Sequence, residues 1–384
     1  MTMKLESTYN QIALRTERYR LYPTKKQTNI LKYTLAICTD VYNSILGERK
    51  YEYEVNRKSV SKYDMDGKIV KWKVEHPELE DVHSQVLQNV SDRADKAYRN
   101  FFRRVKAKLN PGYPRFKNHD DGCRSFTYTQ HGFAWDEDGK LKLSKIGSIK
   151  VKQHREINGK IKTCTISTSH DKWYVAFQYE KTLTPITYKT DNAIGIDLGV
   201  RHYLTLSDGT KAENPKYLKQ SLKKLQRYQR KLSVAKTKQD KQKYRKVVGH
   251  IHEHITNQRN DFQHQLSRFL VNTFKTIVVE DLQTQKMIQN DYRIMSREMS
   301  DCGWASFVDK LAYKAEEAGG NLVKVKPYNT TQTCSRCGDL VYKDRSETEH
   351  SCPNCGLWLD RDHSAALNIL RLGMQSLSDL PTSV

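Results

Sequence analysis

The chain has 384 residues, 37% of them apolar, with 22 Tyr and 10 Phe. It is long enough for two or three domains with buried cores and too hydrophobic for a solvated tail. Its net charge of +22, from 66 Lys and Arg against 44 Asp and Glu, points to nucleic acid as the first partner to consider. A merely soluble or ribosome-like basic protein is the bland alternative. MTMKLESTYNQ holds no apolar core of a signal peptide, and no window approaches the roughly 18 apolar residues of a membrane span. Cys38, Cys123, Cys164 and Cys302 are scattered, as in a reduced cytoplasmic protein, while four other cysteines form two CxxC pairs.

Residues 11–22 alternate and are rich in arginine, which predicts a strand. Thr24 and Gln27 form a capping box that opens a helix to about Gly47. After a charged stretch, Val82, Val86, Val90, Ala94, Ala97, Phe101 and Val105 predict a second helix from about Asp81 to Leu109. PGYPRFK ends it. From Ser125 to about Lys181 the period is two, with Asn158-Gly159 as a hairpin signal. These strands and the first one predict a small β-barrel with the helices inserted.

From Asp191 the pattern turns α/β. AIGIDLGV (193–200) is followed by the hairpin-like HYLTLSDGT and a long helical region with Leu218, Leu222, Leu225 and Leu232 as its apolar stripe. Between Lys216 and Lys246 there are 13 Lys and Arg and one acid, Asp240. A solvated helix normally mixes signs for i,i+4 pairing, so a phosphate-tracking face is the sharper reading and an ordinary exposed face the blander one. Lys223, Lys224, Arg227, Arg230 and Lys231 are its candidate contacts.

Asp197 lies inside the apolar strand, where an unpaired carboxylate is costly. KTIVVE ends in Glu280, and NLVKVKP supplies another apolar strand. In LWLDRDHSAALNIL, Ala365, Ala366, Ile369 and Leu370 define the buried face of a helix, and Asp362 is in phase with that face while Asp360 is not. Asp197, Glu280 and Asp362 can therefore converge, and clustered carboxylates call for Mg²⁺ or Mn²⁺. Two such ions would suit phosphodiester hydrolysis. Singly, each acid could be an ion-pair partner. The competing reading of GIDLG, the phosphate loop of actin-like ATPases, lacks a hydroxyl residue after the glycine and later glycine-rich loops.

Cys334, Cys337, Cys352 and Cys355 have the spacing of a closed four-thiolate Zn²⁺ ribbon, with a disulfide or redox pair as the lesser alternative. A closed site leaves no open position, so this zinc would be structural.

GIDLG, IVVEDL, CSRCG…CPNCG and DRDHSAALNIL, in that order, resemble TnpB, the transposon-associated RNA-guided nucleases related to type V CRISPR effectors. YRLYPTKKQ, VYNSIL, VLQNV, NFF and GYPRFK extend the resemblance over nearly the whole chain. It implies a multidomain α+β fold. A wedge-type β-barrel (1–23 and 118–190) would carry a helical recognition insert (24–117). A RuvC domain of RNase H-like α/β fold (191–327 and 358–372) would carry the zinc ribbon (328–357), with a disordered tail at 373–384. It implies Asp197, Glu280 and Asp362 as catalytic acids holding Mg²⁺, and a transposon-derived guide RNA and double-stranded target DNA as partners, with no membrane role. The setting implied is a prokaryotic cytoplasm, with association to the nucleoid when bound to DNA. Gln88, Thr129 and Gln130 resemble places where relatives touch the duplex flanking the target. Ser364 stands where the family commonly has Asn. Two other classes stay open: a DNA-binding regulator without cleavage, and a transposase that recognises element ends by itself.

Overall fold

The computed structural model describes residues 12–118, 122–188, 192–290, 292–344 and 346–379. It divides into two compact units, Met1–Thr182 and Leu183–Val384.

The first unit opens with β1 (Ile12–Tyr22) and then inserts α1 (Lys25–Asn56), α2 (Lys62–Glu75) and α3 (Ser84–Lys106) before the remaining strands. These are β2 (Ser125–Tyr128), β3 (Phe133–Trp135), β4 (Leu141–Leu143), β5 (Gly147–Lys152), β6 (Ile161–Ser169) and β7 (Lys172–Thr182). They form one antiparallel sheet of order β2-β6-β7-β1-β5-β4-β3. Among the described residues no pairing joins β2 to β3, so the sheet is open rather than a closed barrel. Trp173, Val175 and Phe177 of β7 alternate inward and share a core with Leu31 and Ile45 of α1 and Val86 and Val90 of α3. Arg93 of α3 is fastened to β2 by hydrogen bonds to Ser125 O at 2.6 Å and Thr127 Oγ1 at 3.1 Å.

The Thr24–Gln27 capping box forms in both directions. α1 does not stop at Gly47, because cross-helix ion pairs outweigh the cost of one glycine. Arg49 meets Asp95 at 3.1 Å, and Lys68 of α2 meets Glu48 and Glu52. The charged stretch after α1 holds α2, whose own capping box is Ser61 with Asp64. The tight hairpin is not at Asn158-Gly159. It joins β6 to β7 at His170 and Asp171, both at positive φ (48° and 65°), as a type I′ turn requires.

The second unit contains β8 (Ala193–Leu198), β9 (His202–Leu206), β10 (Lys211–Glu213), α4 (Tyr217–Val234), α5 (Lys238–Thr273) and β11 (Thr276–Glu280). α6 (Thr284–Asn290), α7 (Arg293–Cys302), α8 (Trp304–Ala318) and β12 (Asn321–Val325) follow. After the cysteine module come β13 (Glu349–Ser351), β14 (Trp358–Asp360) and α9 (Arg361–Ser378). The main sheet has the order β10-β9-β8-β11-β12. β8, β11 and β12 are parallel, while β9 and β10 form antiparallel hairpins.

Two boundaries differ from the sequence-based expectation. The stretch before β8 belongs to the second unit, because Ile186 N–H bonds Ala318 O at 2.9 Å and Tyr188 Oη bonds Val271 O at 3.0 Å. The expected disordered tail is helical as far as Ser378, with Ile369 and Gly373 packed inward; residues 380–384 lie outside the described residues. No described helix is long and apolar enough to cross a membrane.

Candidate active site and metal centre

Strand alternation decides where the acids point. Ile194, Ile196 and Leu198 of β8 and Ile277 and Val279 of β11 face a core shared with Leu270 of α5 and Phe307 and Leu311 of α8. Val278 faces the opposite way, onto Ile369 of α9. Side chains alternate along a strand, so Gly195, Asp197 and Glu280 lie on the α9 face. The parallel register pairs Ile196 with Val279, which puts Asp197 and Glu280 one step on, at the carboxyl ends of neighbouring strands. Open α/β sheets commonly bind their ligands at those ends. α9 approaches so closely that a Cβ on Gly195 would stand 2.2 Å from Ala366 O. Asp362 is in the first turn of that helix.

The carboxyls feel one another. Burial raises the Asp197 pKa well above the usual carboxylate range, and Glu280 and Asp362 raise it further, against the opposing charge of Arg361. Burial raises Glu280 as well, opposed by the Thr330 hydroxyl, which donates to Oε1 at 2.5 Å. Such a group ionises readily only with positive charge beside it. Among the described residues the three acids do not bring their oxygens all within 4.8 Å of one another. Oxygens sharing one Mg²⁺ at about 2.1 Å would lie no more than about 4.2 Å apart.

Asp360 has another task. Its Oδ1 accepts from the N–H groups of Asp362 and His363 at 3.1 and 3.0 Å, capping α9, and Lys211 Nζ reaches its Oδ2 at 2.7 Å. Against the cost of burial, Lys211 and the cap N–H groups draw its pKa below the usual value.

The four cysteine sulfurs lie within 4.8 Å of one another. Cys334 and Cys355 are 3.6 Å apart, Cys337 and Cys352 3.5 Å. Zn–S bonds of about 2.3 Å in a tetrahedron give S···S edges of about 3.8 Å, so the donors fit zinc. Each knuckle closes with a backbone bond, Gly338 N–H to Cys334 O and Gly356 N–H to Cys352 O, both at 3.0 Å. Although burial opposes it, the N–H groups of Cys337 and Arg336 draw the Cys334 thiol down to about 5.

Side chains that the sequence did not single out tie this module to the acids. Thr330 holds Glu280, and Asn368 of α9 donates to Thr330 O at 2.9 Å and Thr333 O at 2.7 Å. Ser364 is fully buried and donates to Ser335 Oγ at 3.3 Å, so the residue replacing the usual Asn still engages the knuckle. Thr330, Asn368 and Lys211 carry no motif that a single sequence displays.

Lys223, Lys224, Arg227 and Arg230 are exposed along α4, while Lys231 stands over the rings of Tyr228 and Tyr244 at 5.6 and 5.9 Å. α4 packs on α5 through Leu225, Ile251 and Ile255; of the predicted stripe only Leu225 is fully buried. In the first unit Gln88 and Gln130 are exposed and Thr129 is half-buried. Gln85, one turn before Gln88, receives the N–H groups of Gln130 and His131 at 3.0 and 2.8 Å, a bridge that sequence reasoning missed.

Three family models match the chain. OrfB_IS605, described as "Probable transposase", covers residues 176–291, and "Cas12f1-like, TNB domain" covers 304–369. A "Helix-turn-helix domain" model covers 13–58, a stretch that folds here as β1 and the unbroken α1. A protein of Streptomyces pristinaespiralis named "Putative RNA-guided DNA endonuclease" is 32% identical, over 94% of this chain and 89% of its own. "Putative RNA-guided DNA endonuclease InsQ" of Escherichia coli is 30% identical, over 94% and 92%. The chain in a cryo-EM structure of a Cas12f1–sgRNA–target DNA complex superimposes with a TM-score of 0.55 at 14% identity, over 90% of this chain and 83% of that one, a likeness of fold.

Proposed function

The chain belongs to the TnpB family of insertion-sequence proteins, and from that premise we propose that it is an RNA-guided endonuclease. It would cut double-stranded DNA that pairs with a transposon-derived guide RNA beside a short flanking motif. In this reading the second unit is an RNase H-like RuvC domain interrupted by a zinc ribbon, and the first is a wedge-type sheet carrying a helical recognition insert. The observation that carries the reading is the placement of Asp197 and Glu280 on one sheet face, with Asp362 in the first turn of the helix laid across it.

Asp197, Glu280 and Asp362 would hold Mg²⁺ or Mn²⁺. When bound, such ions supply an activated water and stabilise the leaving oxygen. Thr330 fixes one oxygen of Glu280, and Asp360 caps the amino end of α9, so Asp362 is presented from a capped turn. Lys211 neutralises Asp360 and keeps that extra carboxylate from competing for cations. The cysteine module, holding structural Zn²⁺, would keep the segment 330–335 seated on α9. The exposed basic residues of α4 would grip phosphate, while base pairing reads sequence. Gln88, Thr129 and Gln130 would face the flanking duplex.

The test is guide dependence. The purified ribonucleoprotein should cut a target matching its co-purified RNA, and mismatches near the flanking motif should abolish cutting while distal ones are better tolerated. Cutting that ignores the guide sequence, or persists after complete RNA removal, contradicts the proposal and leaves a transposase or an unguided nuclease.

A further inference from the structure

In the first unit a cleft of about 540 Å³ is lined by the second half of α1, the turn after it, the end of α3 and Tyr113. One wall is aromatic. Tyr98 and Phe102 stack at 6.5 Å with an interplanar angle of 27°, and Tyr113 stands edge-on to Tyr98 and Phe101 at 5.8 and 5.2 Å. Rings that merely close a core would be covered. Here Phe102 is 59% exposed and Tyr113 48%. Cations are fixed beside them: Arg49 lies 4.3 Å over the Tyr98 ring and is held by Asp95 at 3.1 Å. Lys50 and Lys58 also line the cleft, and Glu54, its one acid, lies 3.8 Å from Lys50 Nζ.

Exposed ring faces with fixed cations are the chemistry that binds single-stranded nucleic acid, in which bases stack and phosphates pair. Arg49 and Lys50 have Asp95 and Glu54 beside them, but an apolar protein surface would have to desolvate Lys58, and a second copy of a +22 chain would add repulsion. We infer that the cleft takes an unpaired nucleobase, stacked on Phe102 and Tyr113, with a flanking phosphate on Lys58. The inference rests on the proposed handling of RNA and DNA and adds a site which that reading leaves unassigned.

The test uses the full chain with a single-stranded RNA carrying 5-iodouridine, and in a second arm the matching DNA carrying 5-iododeoxyuridine. Photo-crosslinking followed by peptide mass spectrometry should find adducts on Phe102 or Tyr113, and the arm that yields them identifies the source strand. At elevated salt, where purely ionic sites are weak, Phe102→Ala should lower oligonucleotide affinity about tenfold without changing the salt slope. Phe102→Leu should lose as much, because bulk without a ring does not stack. Lys58→Gln should instead reduce the salt slope by about one. Adducts confined to other regions, a Leu variant that binds like wild type, or an Ala variant that changes only the oligomeric state would each overturn the site. Guided cleavage by the wild-type chain is scored in parallel. If it is intact while the cleft yields no adduct, the cleft alone is rejected.

Discussion

Thr330 Oγ1 donates to Glu280 Oε1 at 2.5 Å, so the segment leading into the cysteine module touches the acid at the end of β11. Burial raises the Glu280 pKa and this bond opposes the rise. Thr330→Val should therefore push the pKa further up, so that ionisation needs a higher pH. The acid limb of the cleavage pH profile should move upward, the divalent-cation requirement should increase, and the rate near neutrality should fall roughly tenfold, as losing a hydrogen bond to a charged group would allow. Thr330→Ser should restore all three. A Val variant with reduced rate but an unshifted profile would assign Thr330 a purely structural role.

Asp360 supplies the control for Asp362. Asp360→Ala removes the cap of α9 and should cost about 1 kcal/mol of stability, read as a lowered Tm, while cleavage survives within a few-fold. Asp360→Asn should recover the cap. Asp362→Ala should stop cleavage with little change in Tm. The reverse pattern, in which the Asp360 variant is inactive and the Asp362 variant cuts, would reassign the acids.

Cys352 is buried and 3.5 Å from Cys337. Cys352→Ser should lower bound zinc measured by elemental analysis and expose residues 328–357 to limited proteolysis, because four-thiolate sites contribute folding free energy directly. Chelation of the wild-type protein should produce the same proteolytic pattern. Wild-type protein purified without chelator and found free of zinc would contradict the ribbon.

Much of the second unit was legible because its signals are local. An apolar strand holding Asp197, another ending in Glu280, the phase of Asp362 and the CxxC spacings are each readable within a few residues. In the first unit the capping box at Thr24 was equally local. What escaped depends on distant partners. α1 passes Gly47 because Asp95 and Lys68 await the residues beyond it. α2 buries only Met65 and Ile69, too little for a clear period, although Ser61 and Asp64 announced its start. The Asn158-Gly159 signal was overridden because β5 pairs with β1 and β4 instead of β6. Thr330 and Lys211 act through single tertiary hydrogen bonds, which leave no periodic trace.

The most direct measurement compares wild-type ribonucleoprotein with Asp197→Ala on one guide-matched DNA, recording binding and cutting together with Mg²⁺ present. Wild type should cut. The variant should bind with affinity within about twofold, because the proposed phosphate contacts are untouched, and its cutting should fall below detection, since the proposed metal site would lose one of its three carboxylates. Undiminished cutting by Asp197→Ala would contradict the account.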